Sequence, residues 1–179
     1  MAEKLIPLDD AQSIVLSHVA PTDLIEIPVW QAAGFPLAED AVADIDISPF
    51  ANSAMDGYAV RSADLAQASG EAPVTLDVIG HEAAGHVFEG VVGVGDAVRI
   101  MTGAPVPEGA DAVVKYEIVE VLDGDGNEGS HVSFSAPAKV GENVRSAAEE
   151  AHAGDVVMHA GEVVAPAGAG LLASAGYAS

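Results

Sequence analysis

From about Ile45 until Pro166 the chain sustains no helical period. Its apolar residues fall in short runs cut by glycine and proline, a texture that admits strands and turns and little else. Val74, Leu76 and Val78 alternate with polar residues, Ala97 to Met101 reads as extended, and Asp111 to Leu122 is rich in valine and isoleucine. The run Asp123-Gly124-Asp125-Gly126-Asn127-Glu128-Gly129 is dense in residues that tolerate positive φ, and with apolar segments on both sides it predicts a hairpin loop. Asp155 to Met158 and Glu162 to Val164 give a second strand-turn-strand pattern through His159-Ala160-Gly161. Helix is confined to the flanks. Ala11, Ile14, Val15, His18 and Val19 recur at helical spacing behind Asp9 and Asp10, whose charge suits the free amides of a first turn, and Pro21 follows as a stop. A shorter helical piece is predicted over Val29 to Ala33, between Pro28 and Gly34, and a small-residue helix over Pro166 to Ala175, ending at Gly176. The predicted class is α+β, mostly β.

With half of its 179 residues hydrophobic, the chain can bury a core. Its longest apolar runs, such as Ile14 to Leu16 and Val163 to Ala165, fall far short of the roughly 20 residues a membrane span needs. Met1-Ala2-Glu3-Lys4 lacks the basic segment and apolar core of a secretory signal, so the cytoplasm is the expected compartment. Cysteine is absent, which removes disulfides, thiol nucleophiles and thiolate metal sites. Twenty-eight acidic residues against six basic ones give a formal charge of -22, a field that repels phosphate backbones and anionic lipid heads. Neither nucleic acid nor a membrane is expected as a partner, and the acidity is read as a solvated surface.

Several suggestive patterns fail on chemistry. Asp123, Asp125 and Asn127 imitate the first ligands of a calcium loop, but Glu128 stands where the loop needs glycine and Phe134 where it needs glutamate. His81 and His86 are five residues apart, not four, which on a helix leaves their rings about 140° apart around the axis, too far to share a zinc ion. The glycines of Gly90-Val91-Val92-Gly93-Val94-Gly95 lead into a strand with no lysine among them, so they predict a turn and not a phosphate loop.

Two segments place polar residues and glycine inside apolar surroundings. The first, Ser48 to Val60, carries Asn52, Ser53 and Asp56 between Pro49 and Gly57. It either presents one carboxylate or forms an Asx-type turn whose side chains merely cap main-chain amides. The second, Arg99 to Val114, ends a strand at Thr102-Gly103, turns through Pro105 and Pro107, and starts another strand at Asp111. Taken by itself it is either part of a site or a rigid loop without a ligand.

Together the two resemble signatures of the molybdopterin molybdenumtransferase family, which includes the corresponding domain of gephyrin-like proteins. Asn52-Ser53-Ala54-Met55-Asp56-Gly57-Tyr58-Ala59 is similar to one signature and Arg99 to Val114 to another. A weaker third is Gly141-Glu142-Asn143-Val144-Arg145, followed by Glu149, Glu150 and Gly154. There the family pattern has glycine, glutamate and aspartate where this chain has Ala148, Glu149 and Glu150, which puts the geometry of the turn in question and makes Arg145 the firmer site residue.

The resemblance covers essentially the whole chain and implies an N-terminal portion of a four-domain enzyme, without the later α/β domain and its Thr-Gly-Asp-Glu-Leu type loop. It implies a helical segment over 1–27 that packs with that absent domain, an elongated discontinuous domain from 28–48 plus 136–179, and an inserted compact β-rich domain over 49–135. It further implies that the full-length protein is a homodimer that converts adenylylated molybdopterin and molybdate to molybdenum cofactor, releasing AMP with the help of magnesium. The site then lies between the β-rich domain of one subunit and the catalytic domain of its partner. In that site Asp56 serves the metal or proton movement, Thr102 bonds a ligand oxygen, Ser53 supports the Asp56 turn, and Arg145 and Glu150 contact substrate. The chain alone is then expected to be inactive and to hold no cofactor tightly. The other expectation is a gephyrin-like scaffold or protein-interaction module.

Overall fold

A computed structural model describes residues 5–83 and 85–179. Met1–Lys4, read above for a leader, and Ala84, inside the His81 to His86 segment, lie outside the described residues. The chain is mostly β with two helices: α1 (Leu8–Leu16), β1 (Ala41–Val42), β2 (Asn52–Ser53), β3 (Gly57–Val60), β4 (Val74–Glu82), β5 (Asp96–Ile100), β6 (Ala112–Lys115), β7 (Glu120–Val121), β8 (His131–Phe134), β9 (Val144–Arg145), β10 (Val156–Met158) and α2 (Pro166–Ser174). Short 3-10 turns cover Val29–Gln31, Ser62–Leu65 and Tyr116–Ile118.

Six strands form one sheet in the order β6-β3-β5-β4-β8-β7. All its pairings are antiparallel except β4 with β5. Side chains alternate between two buried faces. Tyr58, Val60, Leu76, Val78, Ala97, Val132 and Phe134 fill one, and Ala59, Val98, Ile100 and Val113 pack with Val92 on the other. Burial on both faces explains why β3 is sealed along its whole length. Two small ladders join distant parts of the chain, β1 to β10 and β2 to β9. A separate cluster of Val29, Ala41, Val164 and Leu172 ties the first 3-10 turn and β1 to α2.

The glycine-dense loop joins β7 to β8 as an antiparallel hairpin, as its composition predicts. Other expectations shift. The expected strand at 162–164 is reduced to a single bridge, Pro36 to Val163. The extended stretch over 111–122 is broken by the 3-10 turn Tyr116–Ile118, closed by the Val119 N–H on the Tyr116 carbonyl (3.2 Å) just past the last β3–β6 bond, from the Tyr116 N–H to the Asp56 carbonyl (3.0 Å). The helical piece at 29–33 shortens to a 3-10 turn. α1 ends at Leu16, not Val19, because the Ser17 hydroxyl and the His18 ring both reach the Ile14 carbonyl (2.7 and 2.8 Å) and close the helix there. No residue of α1 is buried, and Ile14, Val15 and Leu16 remain more than half exposed.

Candidate functional site

Two segments far apart in sequence close into one corner at the end of the large sheet. On the first side, Val106 N–H bonds the Ala51 carbonyl (2.9 Å), Ser53 N–H the Ala104 carbonyl (3.0 Å), and Gly103 N–H the Ser53 carbonyl (2.8 Å). The fully buried Ser53 hydroxyl donates to the Met55 carbonyl (2.6 Å) and accepts from the Met55 amide (3.2 Å), folding the chain into the turn that leads to Asp56. Ser53 thus makes a local side-chain turn, and Asp56 stays exposed at its end.

Asp56 sits immediately before β3, where Gly57 lets the backbone pass close to β6. A Cβ at Gly57 would lie 2.0 Å from the Val114 carbonyl oxygen. Thr102 sits just beyond β5, with Gly103 at φ 84° turning the chain away. Both the Thr102 amide and its hydroxyl donate to Asp56 Oδ1, each at 2.7 Å. The two residues are exposed, and Oδ2 accepts no hydrogen bond among the described residues. One oxygen is thus anchored while the other faces outward, the arrangement a carboxylate needs to meet a cation, a proton or a ligand hydroxyl without swinging.

The Thr102 hydroxyl and then its amide hold the Asp56 carboxyl below its ordinary value, aided by the Arg99 charge and opposed by partial desolvation. The sign follows directly: this clasp stabilises the fold above the unfolded carboxylate range, about pH 4, and is lost as pH falls through the lower folded-state value. Thr102→Val keeps the shape and the amide but removes the hydroxyl donor, so the Asp56 midpoint read by carboxyl 13C NMR should rise toward its ordinary value. An unmoved midpoint would contradict the clasp.

The third segment lies alongside. β9 pairs Arg145 with Asn52 and Val144 with Ser53, and Asn143, at φ 54°, bonds the Val113 carbonyl through its side chain (2.8 Å). Arg145 is therefore one ladder rung from the corner, exposed, with no hydrogen bond to Asp56 or Thr102 among the described residues. Ala148 takes φ 57°, the left-handed conformation that the family's glycine would adopt freely. The turn survives because the Ala148 and Glu150 amides bond the Ser48 and Ile47 carbonyls (2.8 and 3.0 Å). Glu150 is exposed on that separate turn, so the structure joins Asp56, Thr102 and Ser53 but not Glu150.

Among the described residues no group of three or more His, Asp or Glu side chains could hold a metal ion. Asp56 offers a single outward oxygen, which fits an ion such as magnesium that takes one or two protein carboxylates and fills its remaining positions with water and phosphate. The sequence places Arg99 at the start of the second signature without giving it a role. In the fold it stands opposite Tyr58 on β3, its guanidinium carbon 3.9 Å from the Tyr116 ring centre, a placement set by strand register that local spacing does not display.

Comparison with known proteins extends this geometry. The family described as MoeA N-terminal region (domain I and II) matches residues 6–176. Molybdopterin molybdenumtransferase of Bacillus subtilis is 45% identical over 174 residues, covering 97% of this chain and 40% of the relative. The Haemophilus influenzae protein of the same name is 40% identical over 175 residues, covering 97% and 41%. The crystal structure of the molybdopterin biosynthesis moeA protein from Pyrococcus horikoshii OT3 superposes with a TM-score of 0.87 at 33% identity, covering 98% of this chain and 45% of that one. The chain thus spans about two-fifths of the length of the curated relatives it matches.

Proposed function

The chain belongs to the MoeA N-terminal region family, and from that premise we propose that it is part of a molybdenum cofactor biosynthesis enzyme that inserts molybdate into adenylylated molybdopterin and releases AMP. The relatives' names support the cofactor pathway. The observation that carries the site assignment is the outward carboxylate of Asp56, gripped by Thr102 through one oxygen only.

The reaction brings a multiply charged nucleotide to an oxyanion and exchanges oxygen ligands of molybdenum for sulfur. It therefore calls for a carboxylate that orients a cation or moves a proton, and for neutral donors that do not repel the substrate. Asp56 takes the first role through Oδ2. Thr102 keeps that carboxylate ionised and oriented, and its hydroxyl oxygen, beside the outward face, can accept from a ligand. Ser53 holds the turn, Arg145 is proposed to meet the substrate from the neighbouring rung, and Glu150 to reach it from the separate turn beyond. Magnesium, where bound, would be held by Asp56 and would neutralise phosphate charge.

Asp56 and Thr102 lie on open surface, which supports a wall completed by the downstream domain of a partner subunit in a homodimer, with the cytoplasm as the setting. The 49–135, 28–48 plus 136–179, and 1–27 segments are proposed as its three parts. No helix among the described residues is long and apolar enough to cross a membrane. The exposed apolar face of α1 favours a second reading as a gephyrin-like scaffold, in which the same surfaces serve assembly alone.

Mixed dimers test the shared site. One full-length subunit carries Asp56→Ala and the other an inactivating change in the acidic loop of its downstream domain. Random pairing is expected to recover about a quarter of the unmodified rate, since about half the dimers are mixed and each then holds one intact site. No recovery from two variants shown to exchange subunits would place each site within a single subunit.

A further inference from the structure

Arg99 is the cation whose surroundings the site description leaves unexplained. Its guanidinium carbon lies 3.9 Å from the Tyr116 ring centre and 5.2 Å from that of Tyr58. Tyr58 is itself fully buried and fixed through its hydroxyl to the Gly126 carbonyl at 2.9 Å. Although the chain carries 28 acidic residues, every ion pair among the described residues involves histidine, so Arg99 has no carboxylate partner. Its Nη1 is buried without a hydrogen-bond partner. A half-buried guanidinium with an unmet donor is costly, and an apolar side chain would pack against two tyrosines at less cost. Aromatic faces offset part of the penalty.

The stack is tied to Asp56. Tyr116, the ring on which the guanidinium rests, donates its main-chain N–H to the Asp56 carbonyl at 3.0 Å. Arg99 is also three residues before Thr102, on the strand that delivers the clasp. We propose that Arg99 is a positioning residue for the Asp56–Thr102 pair: by clamping Tyr116 it fixes the main chain that presents Asp56 to Thr102. The proposal rests on the reading of Asp56 as the ligand-facing group.

The test is NMR on this chain, reading the hydrogen exchange of the Tyr116 amide, which bonds the Asp56 carbonyl, and of the Thr102 amide, which bonds the Asp56 carboxylate. Arg99→Met should speed both about fivefold, the effect of losing one cation–π contact on local opening, while the amides of the β4–β8 pairing keep their rates. Arg99→Lys keeps the charge and loses the planar fork, so both amides should still exchange faster. A folded Arg99→Met chain with both readouts unchanged overturns the proposal. Should that variant not fold, Arg99→Lys with unaltered Tyr116 exchange overturns it equally. These outcomes are separate from the fate of the site reading: a fully active Asp56→Ala enzyme would remove the role of Asp56 yet leave the coupling measurable, and an absent coupling would leave Asp56 in place.

Discussion

Gly57→Ala is expected to destabilise the chain by about 3 kcal/mol, at the upper end of what overpacking a core does. The added Cβ would lie 2.0 Å from the Val114 carbonyl oxygen, 2.9 Å from its carbon and 3.2 Å from the Lys115 Cα. All three are main-chain atoms, so no rotamer change relieves the clash. β6 must instead move away from β3, against the pairings of Gly57 with Lys115 and Tyr58 with Val114, and against the burial of Val113 and Val114. Gly57 does not have positive φ, so space and not backbone conformation makes glycine necessary. In a chain of this size the loss corresponds to a fall in melting temperature on the order of 10 °C. Gly70→Ala is the control, since a Cβ there meets nothing within 4 Å, and it should shift stability by less than about 0.5 kcal/mol. Denaturant unfolding of the two variants decides the matter; equal midpoints would contradict the close approach of β3 and β6. The same change should also disturb the site, because Gly57 follows Asp56 and the Tyr116 amide that holds the Asp56 carbonyl belongs to the shifted segment.

Local chemistry made some of this architecture readable. Glycine density announced the loop between β7 and β8, and alternation over Val74, Leu76 and Val78 announced β4. Pairing partners distant in sequence, which composition does not display, decide the rest. The valine-rich run after Asp111 stays on the β3–β6 ladder as far as the Tyr116 N–H bond to the Asp56 carbonyl and then turns, closed by the Val119 N–H on the Tyr116 carbonyl. The segment at 162–164 has strand composition but only one bridging partner, so no ladder forms. α1 was visible by period, while its end depended on where Ser17 and His18 found a carbonyl.

The site divides in the same way. Asp56, Ser53 and Thr102 were named through resemblance, whereas their own chemistry left an ordinary turn and a rigid loop as alternatives. The contact between Asp56 and Thr102 spans 46 positions, which no local spacing reveals. Arg99 escaped notice because its significance lies in the register that sets it across from Tyr58. The missing glycine at Ala148 suggested a displaced turn. The structure keeps the turn, with alanine in the left-handed region at a cost of about 1–2 kcal/mol that main-chain bonds to Ile47 and Ser48 help offset.

The central claim is that the outward oxygen of Asp56 acts on the substrate or its metal, and Asp56→Ala in the full-length protein tests it most directly. Asp56 is exposed, so its removal should leave the sheet and its cores folded. Its chemical loss should be large, because a positioned acid–base or cation-orienting carboxylate contributes about 100-fold or more. Thr102→Ala leaves the carboxylate but frees it, and is expected to cost about tenfold through lost orientation. The measurement is molybdenum cofactor formation from adenylylated molybdopterin and molybdate, with melting temperature followed in parallel. A fall of that size in Asp56→Ala, a smaller one in Thr102→Ala and only a small drop in melting temperature from loss of the clasp are the results predicted; full activity in both folded variants would contradict the account.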